Sequence, residues 1–149
     1  MSRDITNLMK KIDKLNIADE MLDKAIECYL DDKKYFAALH LAGAVQEIYG
    51  KWLRIEGQQD FSTMMLNHAE NLFDEPIDKK AIKKEDMRPK NSIKHMDSQS
   101  DRFAYLNPQL DSFLVISEAV VESMMLQREE TANIIRFREY LKLTHENGL

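Results

Sequence analysis

The sequence predicts an all-α protein, an up-and-down bundle of about five to six helices in a single domain, residues 1–149. Glycine and proline together make up 7 of the 149 residues, well below the roughly 12% of an average globular chain. A sandwich or barrel with many short strands needs more turn formers than that. Apolar residues recur at three- and four-residue intervals along most of the chain, which is the spacing of amphipathic helices.

Two helices are predicted before residue 31. Five apolar residues at helical spacing predict the first one: Ile5, Leu8, Met9, Ile12 and Leu15. Asn16, with Asp19 three residues later, has the pattern of an N-cap, so a second helix is expected to start there and run to Leu30. The charged residues 31–34 form the turn that follows.

A long central helix is predicted from Tyr35 to Ile55, because its apolar residues cover most of the helix circumference. Such a helix is buried on more than one side. Gly57 is expected to end it, and Asp60 is expected to cap a fourth helix that continues to Phe73.

The chain between residues 74 and 88 is polar and weakly patterned, and it is expected to be a loop with about one helical turn. Pro89 suits the first position of a short helix to about Met96, since its missing N–H would be unpaired there anyway. This loop and short helix cover about residues 76–97. Asn107 and Pro108 give the same start signal for a long helix, and a last helix is expected at about residues 130–145.

Charge is divided unevenly along the chain. The total is −5, but residues 79–95 hold seven basic residues against two acidic ones, a net of +5 that leaves −10 for the rest. The overall acidity argues against a general nucleic-acid scaffold. The basic segment is either a solvated connection or a surface that attracts phosphate groups, and its lysines are Lys79, Lys80, Lys83, Lys84, Lys90 and Lys94.

Two common kinds of site are not predicted. Cys28 lies beside the apolar stripe of its helix, and no pattern places a histidine near it, so it is expected to fill space rather than to act as a nucleophile. The sequence lacks the paired Glu-x-x-His units of carboxylate-bridged metal bundles, so neither a metal nor a cofactor is expected. Glu118 and Glu122 share a helix face, and that face is expected to point to water.

A narrow stripe of polar and small residues follows the otherwise apolar central helix: His40, Gly43, Glu47, Gly50 and Arg54. In one interpretation the glycines admit a neighbouring helix while the polar residues reach solvent. In the other, the stripe faces a cleft for a small molecule or nucleotide, and Glu47 orients a cationic or imidazole group.

The segment from Arg88 to His95 holds the strongest candidates for chemistry. On the predicted short helix, Asn91 and His95 lie one turn apart and opposite Ile93, so His95 is expected to face outward. An imidazole with a pKa of about 6.5 can exchange a proton at neutral pH. Arginine can hold two phosphate oxygens, and asparagine can orient either partner. These groups suit work on a phosphodiester.

This segment resembles the arginine-to-histidine motif of HEPN domains, helical bundles of prokaryotic toxin–antitoxin and defence systems. The stretch from Ala38 to Lys51, together with Asn91 to His95, is similar to a group of uncharacterised bacterial bundle proteins, and the likeness spans roughly residues 21–127. The resemblance implies a homodimer whose motif helices face one cleft. In active members it implies a metal-independent ribonuclease, with His95 as general acid/base for attack of the RNA 2′-hydroxyl and Arg88 as the phosphate-stabilising group.

Two positions depart from that motif. Lys90 stands immediately before Asn91, where a compact motif has arginine, and lysine cannot make the same planar two-point contact. Arg88 satisfies only the longest spacing, with Pro89 in between. The role of the motif's arginine therefore falls to either Arg88 or Lys90, and many proteins of this fold bind without catalysing a reaction.

Three functions follow from these observations. The first is a HEPN-like ribonuclease or an RNA- or nucleotide-binding protein; the second is a non-catalytic homodimeric interaction module whose basic segment docks an acidic protein. The third is small-molecule binding beside the central stripe. The chain shows neither the long apolar stretch of a signal peptide nor the 18 apolar residues of a membrane span, so a cytoplasmic protein without a membrane partner is expected.

Overall fold

The computed structural model describes residues 5–73 and 76–148, and this part of the chain contains six α-helices and no strand. The helices are α1 (Lys14–Leu30), α2 (Tyr35–Ile55), α3 (Phe61–Phe73), α4 (Lys79–Ser92), α5 (Pro108–Met125) and α6 (Ala132–Glu146). Short 3-10 turns occur at Ile5–Leu8 and Gln99–Arg102. The predicted all-α bundle is confirmed. The side chains of Ile5 and Phe73 lie outside the described part of the chain.

The central helix α2 packs against both α1 and α5, and α6 packs against α1 and reaches α5 through its aromatic rings. The core therefore lies along α2, as the apolar coverage of this helix predicts. Its largest fully buried side chains include Leu22, Ile26, Leu39, Val45, Tyr49, Leu53, Ile116 and Phe137. Cys28 is a buried, unpaired thiol of this core, which agrees with its predicted packing role.

Rings from α1, α5 and α6 form one end of the core. The Tyr29, Phe113, Phe137 and Tyr140 ring centroids lie 5.7–6.3 Å apart, within the range in which aromatic pairs attract each other. At the other end, Asp19 on α1 accepts a hydrogen bond from Tyr49 on α2 at 2.5 Å and pairs with Arg128 at 2.8 Å. Ring contacts thus join α1, α5 and α6 at one end of the bundle, and polar contacts join α1, α2 and the turn after α5 at the other end.

The start of the chain differs from the prediction. The helix α1 begins at Lys14, and its N-cap is Asp13, whose side chain accepts from the Leu15 N–H at 2.9 Å. Asn16 is therefore inside the first turn, and the predicted N-cap there is wrong. The predicted helix over residues 5–15 is only a 3-10 turn, because its apolar residues such as Leu8 and Met9 are exposed and find no neighbour to stabilise a short helix.

The segment around the basic residues also differs. Residues 79–92 form the four-turn helix α4, where a loop was predicted, and Asp78 caps it by accepting from the Ala81 N–H at 3.1 Å. Pro89 is not the first residue of a short helix but a buried residue in the last turn of α4. Its missing N–H costs only the hydrogen bond to Glu85, close to a helix end where such bonds are easily given up.

The remaining caps agree with the predictions. Asp60 accepts from the Thr63 N–H at 2.8 Å and starts α3. Asn107 accepts from the Leu110 N–H at 3.1 Å, with Pro108 in the first turn of α5. Asp60 has a further importance, because this cap places its carboxylate at the edge of a polar cleft.

Candidate functional site

A polar cleft of about 350 Å³ opens between α2, the start of α3, α4 and α5. Its walls carry charges of both signs. The basic residues are Lys51, Arg54, Lys83, Lys90 and Lys94, and the acidic ones are Glu47, Asp60, Asp86, Glu118 and Glu122. Five cations and five carboxyl groups in one small space make this the strongest candidate site in the described part of the chain.

Two glycines of α2 determine the shape of the cleft. A Cβ atom on Gly43 would lie 3.2 Å from Cγ of Lys90, and a Cβ on Gly50 would lie 3.2 Å from Oε2 of Glu122. A residue with a side chain at either position would push against α4 or α5. Each interpretation of the central stripe is thus correct in part. The glycines allow neighbouring helices to approach α2, and the same stripe faces a cleft.

Four members of that stripe line the cleft, and one does not. Gly43, Glu47, Gly50 and Arg54 face it, whereas His40 is exposed and lies outside it. Glu47 pairs with Lys51 at 2.9 Å, and this hydrogen bond and charge lower the pKa of Glu47. Glu47 is therefore a charged group at the rim, and its partner within the chain is an ammonium rather than an imidazole.

A chain of hydrogen bonds crosses the cleft from α4 to α5. Lys90 Nζ donates to Gln46 Oε1 at 2.8 Å, and Gln46 Nε2 donates to the Glu118 carboxylate. Burial and the neighbouring charge of Asp86 raise the pKa of Glu118. Gln46 is thus held in one orientation, with its donor toward the carboxylate and its acceptor toward the lysine.

Glu122 forms the deepest part of the cleft. The residue is only 3% exposed. Its carboxyl group accepts from the backbone N–H of Phe61, and no side-chain donor of the described residues reaches it. Burial, followed by the charges of Asp60 and Glu118, raises the pKa of Glu122 to about 8. The prediction that Glu118 and Glu122 point to water is wrong, because α5 turns that face toward α2 and α4.

The end of the cleft near α3 holds a second charge cluster. Arg54 pairs with Asp60, and Lys83 donates to the Thr63 hydroxyl. Burial works to raise the pKa of Asp60, but hydrogen bonds from Thr63 and the charges of Lys83 and Arg54 outweigh it and lower that pKa. Asp60 is therefore an anion with several partners, whereas Glu122 has the Phe61 backbone N–H as its donor among the described residues.

The structure divides the motif residues between two places. Asn91 and Lys94 line the cleft. Arg88 does not, because its Nε donates to Glu85 at 2.8 Å and its Nη1 donates to the Tyr105 carbonyl at 2.7 Å. His95 is exposed outside the cleft and makes no hydrogen bond or ion pair with the described residues.

The predicted geometry of the motif is therefore wrong in one respect. The helix α4 ends at Ser92, three residues before His95, so Asn91 and His95 do not share a helical face. The predicted outward direction of His95 agrees with its exposure. Since His95 directly follows Lys94, its backbone lies next to the rim of the cleft.

The lysines predicted to bind phosphate also separate. Lys83, Lys90 and Lys94 line the cleft. Lys79 turns toward α3, where it reaches Asn67 at 2.8 Å and Glu70 at 3.2 Å. The remaining two, Lys80 and Lys84, are exposed and line no part of the cleft.

Sequence reasoning missed Gln46, Asp60, Glu118 and Glu122 as site residues. A signal for Glu122 was present: it continues the spacing of the buried residues Val115 and Ala119 on one helical face. A glutamate at a core position of an amphipathic helix indicates a buried carboxyl group.

Among the described residues, no group of three or more His, Cys, Asp or Glu side chains is arranged to hold a metal ion. None of the described helices has the length and apolarity that a membrane crossing requires. No family model, curated protein or solved structure matches the chain.

The burial of the Glu122 carboxyl group predicts that the stability of the protein depends on pH. The pKa of Glu122 is about 8 in the folded protein, and its ordinary value in the unfolded chain is about 4.3. As pH rises, Glu122 therefore loses its proton in the unfolded state first. Stability therefore falls between those two values. We expect Glu122→Gln to gain at least about 1.4 kcal/mol in unfolding free energy over wild type at pH 8, the equivalent of one pKa unit, and little at pH 4.

Urea unfolding at both pH values measures this difference. Glu47→Gln is the matched control, because Glu47 is an exposed glutamate of the same cleft with a lowered pKa, and it should show no such gain. Parallel pH profiles for wild type and Glu122→Gln would contradict the assignment.

Proposed function

We propose that the protein binds RNA and holds one nucleotide in the cleft between α2, α4 and α5. The supporting observation is the placement of Lys83, Lys90 and Lys94 on one wall, opposite the carboxyl groups Glu118 and Glu122. Ammonium groups attract phosphate, and carboxyl groups pair with the polar edge of a base. A volume of about 350 Å³ falls within the range of small-ligand pockets.

The distribution of charge supports the same proposal. A chain with a net charge of −5 repels nucleic acid at most of its surface. Its positive charge is concentrated in residues 79–95, which form α4 and the turn after it. Phosphates would therefore be drawn to this one wall of the cleft.

The enzymatic form of this proposal is the HEPN-like, metal-independent ribonuclease. His95 is exposed next to Lys94 and makes no hydrogen bond with the described residues, so its imidazole is accessible as a general acid/base for a ribose 2′-hydroxyl. Arg88 is held by Glu85 and the Tyr105 carbonyl, away from the cleft. In cleavage, the phosphate would thus be stabilised by the Arg88 guanidinium of a second copy or by the Lys90 ammonium. In binding without cleavage, both groups would keep their present contacts.

Binding is tested by fluorescence anisotropy with a labelled single-stranded RNA of mixed sequence. We expect the double variant Lys83→Gln/Lys94→Gln to weaken binding at least tenfold. It should also flatten the salt dependence of binding, because a protein with fewer lysines at the phosphates displaces fewer counterions from the RNA. The control is Lys80→Gln/Lys84→Gln, on the same helix but outside the cleft. An equal loss in both double variants would contradict the cleft as the site, and binding to polyglutamate instead of RNA would assign α4 to an acidic protein.

Cleavage is tested separately with the same RNA in the presence of a chelator. If the protein is a ribonuclease, His95→Ala should abolish cleavage while RNA affinity and unfolding free energy stay at their wild-type values. His145→Ala, at an exposed histidine on α6, is the control. Cleavage that persists in His95→Ala, or an absence of cleavage by the wild type, would restrict the function to binding.

A second candidate function is a homodimeric interaction module, and one surface favours it. An apolar groove runs along α2 beside the start of α1, and it is lined by Leu15, Ala44, Ile48, Trp52 and Ile55. Directly before α1, Leu8, Met9 and Ile12 expose 76%, 72% and 61% of their surface. Each copy thus carries both a groove and an apolar segment, so a twofold pair would cover both.

Sedimentation velocity checks this pairing. We expect the wild type to sediment as a dimer. The double variant Trp52→Ser/Ile55→Ser should raise the dissociation constant of this dimer at least tenfold. Ile135→Ser/Leu143→Ser, at exposed apolar residues of α6, should leave the dimer intact. A wild-type protein that remains monomeric at high concentration would remove this candidate.

A further inference from the structure

The floor of the cleft offers hydrogen-bond acceptors for which the chain supplies too few donors. Gln46 donates to one oxygen of Glu118. Glu122 accepts a hydrogen bond from the backbone N–H of Phe61, and no side chain of the described residues donates to it. Glu122 is 97% buried and lines the cleft. A buried carboxyl group with a single backbone donor recovers only part of the hydration free energy it loses, and a ligand with N–H groups could supply more of it.

We infer that Glu122, supported by Glu118, recognises the N–H edge of a guanine base held in this cleft. The inference rests on the proposed nucleotide site and names the base that the site prefers. A carboxylate has two acceptor oxygens and no donor. Guanine presents two adjacent donors, the ring N1–H and the 2-amino group, at the spacing of those two oxygens. The pair is therefore complementary at two points.

The other bases fit this floor less well. The ring nitrogen beside the amino group of adenine or cytosine is an acceptor, and it would face a carboxylate oxygen. The single ring N–H of uracil lies between two carbonyl groups, so one carboxylate oxygen would face a carbonyl. Unpaired or repelled polar groups in a buried site discriminate strongly between ligands.

The charges around Glu122 are of both signs, and the two nearby cations already have partners. On its own helix the neighbouring charge is Glu118, at the cap of α3 it is Asp60, and on α4 it is Lys90. The start of α3 also supplies the Phe61 N–H that donates to Glu122, and Asp86 of α4 lines the same cleft. Arg54 lies on the α2 side near Gly50. Asp60 already pairs with Arg54, and Lys90 is bound to Gln46. Neither cation donates to Glu122, so the N–H groups of a base would not have to displace an ion pair of Glu122.

The space next to Glu122 exists because residue 50 is glycine. A Cβ at this position would lie 3.2 Å from Oε2 of Glu122, 3.6 Å from Nη1 of Arg54 and 3.6 Å from Cβ of Asp60. A side chain there would occupy the approach to the carboxyl group. With the base on this floor, the phosphate would extend toward Lys83 or Lys94 on the α4 wall.

Calorimetric titration with GMP, IMP and UMP tests the inference on the wild-type protein at pH 8. IMP differs from GMP only in lacking the 2-amino group. We expect GMP to bind about tenfold tighter than IMP, as one base-edge hydrogen bond contributes, and UMP to bind more weakly than either. A GMP-to-IMP affinity ratio near one would overturn the inference without any variant.

Substitutions then locate the recognition. Glu122→Gln should remove the preference for GMP over IMP and leave UMP affinity within twofold, and Glu47→Gln at the rim should change neither. Retention of the preference in Glu122→Gln would also overturn the inference. If all three nucleotides bind equally and Lys83→Gln/Lys94→Gln weakens them together, the nucleotide site stands and only guanine recognition fails. If no nucleotide and no RNA binds, both proposals fail.

Discussion

The Glu122 carboxyl group is buried where α5 meets α2, with Gly50 directly across from it. The backbone N–H of Phe61 donates to it, but no side chain of the described residues does. An apolar residue of the same size would make this helix contact at a lower free-energy cost, because burying a carboxyl group opposes folding unless it is paired. The chain also places the charges of Asp60 and Glu118 near it, which increases that cost. A group that opposes folding in this way is typical of a site that a ligand completes.

The rest of the cleft follows from the contacts that bring α4 to α2. Lys90 can lie over Gly43 because that residue has no side chain, and its ammonium then reaches Gln46. Gln46 in turn is oriented toward Glu118. One wall is thus cationic and the floor is acidic, with the orientation of the amide between them fixed. This order of charges is the basis of the proposed nucleotide site, and it depends on two glycines that lie two turns apart on one face of α2.

Much of the fold could be predicted from the sequence, because apolar spacing and caps act locally. The bounds of α2 and the caps Asp60 and Asn107 were predictable for that reason. The helix α4 was not, since its residues are mostly charged and show no apolar stripe, and Pro89 suggested a helix start. The cap at Asp78 was the local signal that could have corrected this.

The candidate site was only partly predictable, for a different physical reason. Asn91, Lys94 and the α2 stripe were identified by their chemistry, but the sequence could not show which helix would face them. The direction of Arg88 depends on a carbonyl 17 residues away, at Tyr105, which no local pattern reveals. Glu118 and Glu122 were expected to face water because an acidic stripe usually does, and only the packing of α5 against α2 reverses this.

The most direct measurement of this account is a carbon-13 NMR titration of the Glu122 carboxyl group, with and without GMP. In the free protein, burial and the charges of Asp60 and Glu118 predict a pKa of about 8. GMP should lower that pKa by at least one unit, because N–H donors stabilise the carboxylate form. A pKa near the ordinary value of about 4.3 in the free protein, or one that GMP leaves unchanged, would contradict the proposal that this buried carboxyl group accepts hydrogen bonds from a guanine base.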